Sequence, residues 1–220
     1  MSVVEALARE VGGVGKALRK LTAAEWDAPT RCEPMTVAEL LAHVTRGGER
    51  IVSMLEHGPV DSEPEKDAVT YFQYDPDEAG PGIVARAAEE AAGKTPEQLI
   101  TAWDTSWSKG LREARAALTH DPVLPGVFGL MRLSEYLKTR VVEVTVHHLD
   151  LDDAIGRAYH PDPEALEIVG DVLRGLLGTD LRPVGIDDLR FALTGTGRAH
   201  LDETERVHLG PLAERFPLFR

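Results

Sequence analysis

Five polar residues recur in one short stretch of the chain, Tyr136, Arg140, Glu143, His147 and Asp150. Steps of four, three, four and three put all five on one stripe of an α-helix. Glu143 and His147, at i and i+4, can aim a carboxylate oxygen and an imidazole nitrogen at one point, as paired residues on bundle helices do when they hold a metal. Around the stripe stand Leu137, Val141, Val142, Val144, Val146, Leu149 and Leu151. Two readings are open: a solvated face of an amphipathic helix, or a polar row on a helix buried on several sides, which must line a cavity or find internal partners. The breadth of the apolar circumference favours the second.

Two ligands from one helix do not complete a site, and His43 is the candidate third. It lies one turn after Leu40 at the edge of an apolar face, and Gly47 and Gly48, one turn further on, leave room for a close approach. A hydrogen-bonded core histidine is the other reading of His43. Two imidazoles and one carboxylate leave coordination positions open, which belongs to catalytic rather than structural metal sites. Such a donor set suits zinc, with iron, nickel and manganese as alternatives.

The elements that must position these residues are predicted to be helices. Ser2 and Glu5 form a capping-box pattern ahead of Leu7, Val11, Val14, Leu18 and Leu21, an apolar seam at helical spacing. Thr36 and Glu39 repeat that pattern before a second helix, which carries His43. A long acidic, proline-bearing loop is expected from about 57 to 82, then a short helix over 83–92. Thr95, Pro96 and Gln98 start a third long helix to about Leu118, with Trp103 and Trp107 on its core face. DPVLPG breaks it, and the fourth long helix runs from about Leu130 to Ala154, through the polar stripe. Four long amphipathic segments argue for a mainly α fold, a four-helix bundle over 1–157. Asp162 and Pro163 start one more helix that Gly178 closes, and DLRFALTGTGRAHL alternates like a strand hairpin around Gly-Thr-Gly. Residues 158–220 are therefore expected to form a small α+β C-terminal appendage.

Composition narrows the function classes. The chain has 220 residues, 43% of them hydrophobic, enough for a sizeable core. Its net charge of −13, from 37 acidic and 24 basic residues, disfavours nucleic acid and anionic membranes as partners. A small molecule is the expected partner, and the chain itself a monomer or homodimer. The N-terminal MSVVEALAREVGG does not read as a secretory signal, and no apolar run approaches a bilayer span. One cysteine, Cys32, cannot form an intrachain disulfide, so the cytoplasm is the expected compartment. Arginine outnumbers lysine three to one, which hints at a GC-rich bacterial genome.

The motifs also resemble a known family. A "W…PTRCEPMT" lead-in, a histidine inside "TVAELLAHV", and then "R-x-x-E-x-x-x-H-x-x-D" on a later helix resemble the mycothiol-dependent maleylpyruvate isomerase family within the DinB-like metalloenzymes. The likeness spans nearly the whole chain, because the closing "LTGTGR…L" resembles that family's small C-terminal domain. Met35 departs from it, standing where a tryptophan is common. The resemblance implies a DinB-like bundle with a divalent metal, usually zinc, on residues matching His43, Glu143 and His147, and the thiol mycothiol reacting at that metal. It further implies an arginine important for activity, matched by Arg198, with Arg190 nearby.

The expected function is metal-dependent activation of mycothiol as a thiolate, for isomerisation or S-transfer to a small electrophile. The alternative is a non-catalytic bundle that binds a metal or small ligand as a sensor or accessory protein. Arg140 and Arg198 are expected to orient anionic groups of a substrate, and Asp150 to hold His147 or Arg140 from behind. Structural salt bridging is the other reading of Arg140 and Asp150. Cys32 reads as a loop or buried thiol, with no neighbouring histidine to activate it. The GGVGK and GTG segments lack the spacing and context of phosphate loops, and His148 reads as packing or support.

Overall fold

A computed structural model of the chain describes residues 2–73, 76–179 and 186–219, of which 76–79 are described by their backbone only. It is mainly helical. Four long helices, α1 (Val3–Leu18), α3 (Val37–His57), α5 (Pro96–Ala117) and α6 (Leu133–Ala154), form the bundle. α1 packs between α5 and α6, and α3 packs between the same two from the other side. The short α2 (Ala23–Trp26) leads into α3, and α4 (Pro76–Ala91) lies against α3. α7 (Pro163–Leu177), α8 (Asp188–Gly195) and α9 (Glu203–Leu209) follow the bundle as a small C-terminal appendage, with α7 against α6 and α1.

Local chemistry explains most helix starts. Thr36 with Glu39, and Thr95 with Gln98, form complete capping boxes as expected, and Asp162 caps α7 ahead of Pro163. Gly178 closes α7 in the left-handed conformation at φ 73°. Ser2 stands at the N-cap of α1, but its side chain makes no capping bond, and Glu5 instead pairs with Arg115 across the bundle at 2.7 Å.

Three expectations change. α4 begins at Pro76, well before residue 83, and a 3-10 turn over Thr70–Phe72 interrupts the expected loop. The break before the fourth helix is a small antiparallel hairpin, β1 (Val123–Gly126) with β2 (Gly129–Arg132), so α6 starts at Leu133. DLRFALTG is a helix and not a strand: Asp187 accepts from the Arg190 amide as N-cap, and Phe191, Ala192, Thr194 and Gly195 turn inward at helical spacing. The Gly-Thr-Gly expected to turn a hairpin is the end of α8, with Gly197 at φ 73°. Among the described residues the appendage contains helices only.

The core runs the length of the bundle, with Trp103, Trp107, Tyr136, Leu7 and Leu133 all at most 1% exposed. Gly48 and Gly110 set how closely α3 and α5 approach. A Cβ on Gly110 would lie 2.7 Å from the Gly48 carbonyl oxygen, and one on Gly48 would lie 2.7 Å from the Ser106 backbone. The close approach expected beside His43 is thus made to α5.

Candidate metal centre and cavity

α6 settles the two readings of the polar stripe. Tyr136 and Asp150 are fully buried and Arg140 is 6% exposed, so the stripe is an interior row and not a solvated face. A row so placed must find internal partners. It finds them along three directions.

The first is α3. His43 Nε2 lies 2.8 Å from Glu143 Oε1, and His147 Nε2 lies 3.7 Å from the same oxygen. The two imidazoles stand edge to face with centroids 5.2 Å apart. One donor atom from each of His43, Glu143 and His147 falls within 4.8 Å of the others, a convergence from sequence positions 100 residues apart. A histidine, carboxylate, histidine set at this separation fits a divalent cation of borderline softness.

The second direction supports the first. His147 Nδ1 is 2.9 Å from Asp150 Oδ2, one turn along α6. A proton on Nδ1 donated to Asp150 leaves the Nε2 lone pair facing Glu143 and His43, the arrangement by which a carboxylate orients a ligating histidine. Arg198 fixes Asp150 in turn, donating from Nε at 3.0 Å and from Nη2 at 2.7 Å. Asp150 was expected to hold either His147 or Arg140; it holds His147.

The third direction lies behind Glu143. Arg140 donates to the Tyr71 hydroxyl at 2.9 Å, stacks over the Tyr136 ring at 4.9 Å, and comes within 4.0 Å of Glu143 Oε2. It does not line the cavity described below.

Electrostatics follow this geometry. Burial pushes the Glu143 carboxyl up, but His147, His43 and Arg140 outweigh it and hold its pKa well below the usual range. Burial pushes His147 down, and Asp150, Cys32 and Glu143 outweigh it, raising its pKa well above that of a free imidazole. Asp150 is likewise held low against its burial by His147 and Arg198. A cation entering between Glu143 and His147 would compete with the proton that this pairing holds on His147.

The cluster opens into a cavity of about 620 Å³ between the bundle and the appendage. Val142, Val146 and Met35 line its bundle side. Thr196, Arg198, Phe216 and Phe219 line the C-terminal side, where Leu218 and Phe219 donate backbone bonds to the Gly195 carbonyl.

Cys32 requires a correction. Its Sγ lies 3.8 Å from His147 Nδ1 and donates to Asp150 Oδ2 at 3.2 Å, so a histidine does neighbour it. Nothing in the local sequence places it there, because the contact spans 115 positions. Arg31, beside it, bonds Asp153 at 2.8 Å and the Arg198 carbonyl at 2.7 Å, tying the loop to both α6 and the appendage. Arg190, the other arginine near the Gly-Thr-Gly, is paired with Glu205 at 2.6 Å. His148 faces away from the cluster and pairs with buried Glu10 of α1 at 2.6 Å, a support of packing as expected. Trp103 and Trp107 are core, and GGVGK lies inside α1.

A helical bundle with a His, Glu, His cluster at the base of a ligand-sized cavity defines a class of candidate metal-site bundles. Within that class, the family model described as the mycothiol maleylpyruvate isomerase N-terminal domain matches residues 7–152, and the chain belongs to that family. The match covers His43, Glu143, His147 and Asp150 and ends before Arg198. It ties the chain to a mycothiol-related enzyme family and agrees with a DinB-like bundle. No curated protein and no solved structure matches the chain. No helix among the described residues is long and apolar enough to cross a membrane.

Proposed function

We propose that the chain is a divalent-metal-dependent enzyme that activates mycothiol for isomerisation or S-transfer to a small electrophile. His43, Glu143 and His147 hold the ion, zinc by the chemistry of the donors. The observation that carries this reading is the convergence of those three donor atoms within 4.8 Å at the base of the cavity. A cation bound there lowers the pKa of a coordinating thiol, which is about 8.5 when free, so that the sulfur is nucleophilic at neutral pH.

The remaining work falls to the chain's own side chains. Asp150 and Arg198 keep the His147 ring turned so that Nε2 faces the cluster. Arg140 braces the far side of Glu143. The apolar walls limit water around the reacting sulfur, which strengthens every charge interaction at the site. Because the cavity is closed by residues on both sides of position 157, we propose that the bundle and the appendage are both required.

Purified protein tests the reading. Chelation is expected to abolish, and zinc to restore, the conjugation of mycothiol to an electrophile, and His43→Ala, Glu143→Ala and His147→Ala each to weaken zinc binding and lose conjugation. Full metal occupancy without any thiol turnover would favour a binding module instead.

A further inference from the structure

The charges that line the cavity differ in what they are free to do. Arg198 gives Nε and Nη2 to the two oxygens of Asp150 and Nη1 to the Thr196 carbonyl at 2.7 Å. Arg31 gives Nε and Nη2 to Asp153 and Nη1 to the Arg198 carbonyl. Both guanidiniums are neutralised by carboxylates, and most of their N–H groups are engaged within the protein. Among the described residues, Arg206, exposed on α9 at the rim, is the one lining guanidinium with no carboxylate partner. The inner wall is apolar: Phe72, Val84, Val142, Val146, Phe216 and Phe219, with Phe72 and Phe219 stacked at 4.7 Å and 14°.

From this division, and resting on the proposed function above, we infer that the electrophile has an apolar body and at most one carboxylate. It is therefore unlike doubly charged maleylpyruvate. One carboxylate can reach Arg206. With the open position of the ion taken by the thiol sulfur, a second would give up its hydration without a further unengaged guanidinium to replace it, which a low-dielectric wall penalises heavily. An apolar body instead releases water from the phenyl and valine surfaces. An aryl epoxide is one such substrate. The thiol proton leaves, the sulfur forms a C–S bond as the epoxide C–O bond breaks, and the oxygen keeps that electron pair and takes up a proton, so no oxidant or reductant is needed.

The test uses the zinc-loaded full chain, mycothiol and three epoxides with the same reactive group: styrene oxide, 4-carboxystyrene oxide and 3,5-dicarboxystyrene oxide, each corrected for its uncatalysed rate. The first two are expected to exceed the third in kcat/KM by about a hundredfold, the scale on which a mismatched pocket discriminates. Val84→Arg, which adds a free cation to the apolar wall, is expected to narrow that gap by about tenfold. Equal or better turnover of the dicarboxylate overturns the inference.

A binding arm needs no turnover. The neutral fluorophore N-phenyl-1-naphthylamine is expected to bind the cavity and to be displaced by benzoate but not by isophthalate at tenfold higher concentration; displacement by isophthalate also overturns the inference. If none of the epoxides reacts, an epoxide is not the electrophile, the chelation and zinc-restoration test above still decides the proposed function, and this arm still decides the character of the cavity.

Discussion

Replacing Asp150 with asparagine isolates the support beneath the metal cluster. The side chain is fully buried and receives Arg198 at 2.7 and 3.0 Å, His147 at 2.9 Å and Cys32 at 3.2 Å. Asparagine keeps the shape but removes the charge, and turns one oxygen into a donor that faces Arg198 in either orientation and His147 as well in one of them. Breaking a buried pair by neutralising one partner costs about 3–5 kcal/mol. Arg198 retains 12% side-chain exposure, so the lower end applies, about 3 kcal/mol. For a chain of this size that lowers Tm by about 6–12 °C. Losing the carboxylate that orients His147 weakens metal binding by about 10- to 100-fold. Thermal melts of the metal-free protein and a competitive zinc titration read the two effects separately. A Tm within about 2 °C of the parent together with an unchanged zinc Kd would refute the reasoning.

Two glycine substitutions should act in opposite directions. Gly110→Ala gains about 1 kcal/mol of helix propensity, but its Cβ meets the rigid Gly48 backbone at 2.7 Å, and overpacking of about 1–3 kcal/mol makes the change net destabilising in urea titrations. Gly12→Ala, with nothing within 4 Å, should stabilise α1 by about 0.5–1 kcal/mol. His148 supplies a pH test. Burial pushes its pKa down, the Glu10 and Asp152 carboxylates outweigh this, and the folded-state value lies above the unfolded one. Its stabilisation is therefore complete below about pH 6.5 and lost as pH rises through the folded value. His148→Gln should cost more stability at pH 6 than at pH 9 by chemical denaturation, and an equal loss at both would contradict the pairing.

How far the sequence revealed this protein depends on the range over which each feature is determined. The stripe from Tyr136 to Asp150 is legible because helical period is local, and the boxes at Thr36 and Thr95 because capping spans three residues. His43 is legible only as a candidate, since its meeting with Glu143 depends on how α3 packs on α6. Cys32 is misjudged for the same reason: its histidine neighbour is 115 positions away. Ser2 and Glu5 have the capping pattern, yet Glu5 is taken by Arg115 from another helix. In α8, alternation around Phe191 imitates a strand, while the Asp187 cap and the inward face record the helix that docking on α7 selects. The engagement of Arg198 with Asp150, across 48 positions, has no signature in the sequence, because it exists only once the appendage closes over the bundle.

The central claim is that His43, Glu143 and His147 share one cation. Zinc K-edge X-ray absorption on the purified, zinc-loaded chain addresses it most directly. One equivalent of zinc is expected, with two imidazole nitrogens at about 2.0–2.1 Å, a carboxylate oxygen and no protein sulfur, and with the imidazole signal reduced in His43→Ala. A chain that binds no zinc, or a zinc coordinated by the Cys32 sulfur with the His43→Ala spectrum unchanged, would contradict the account.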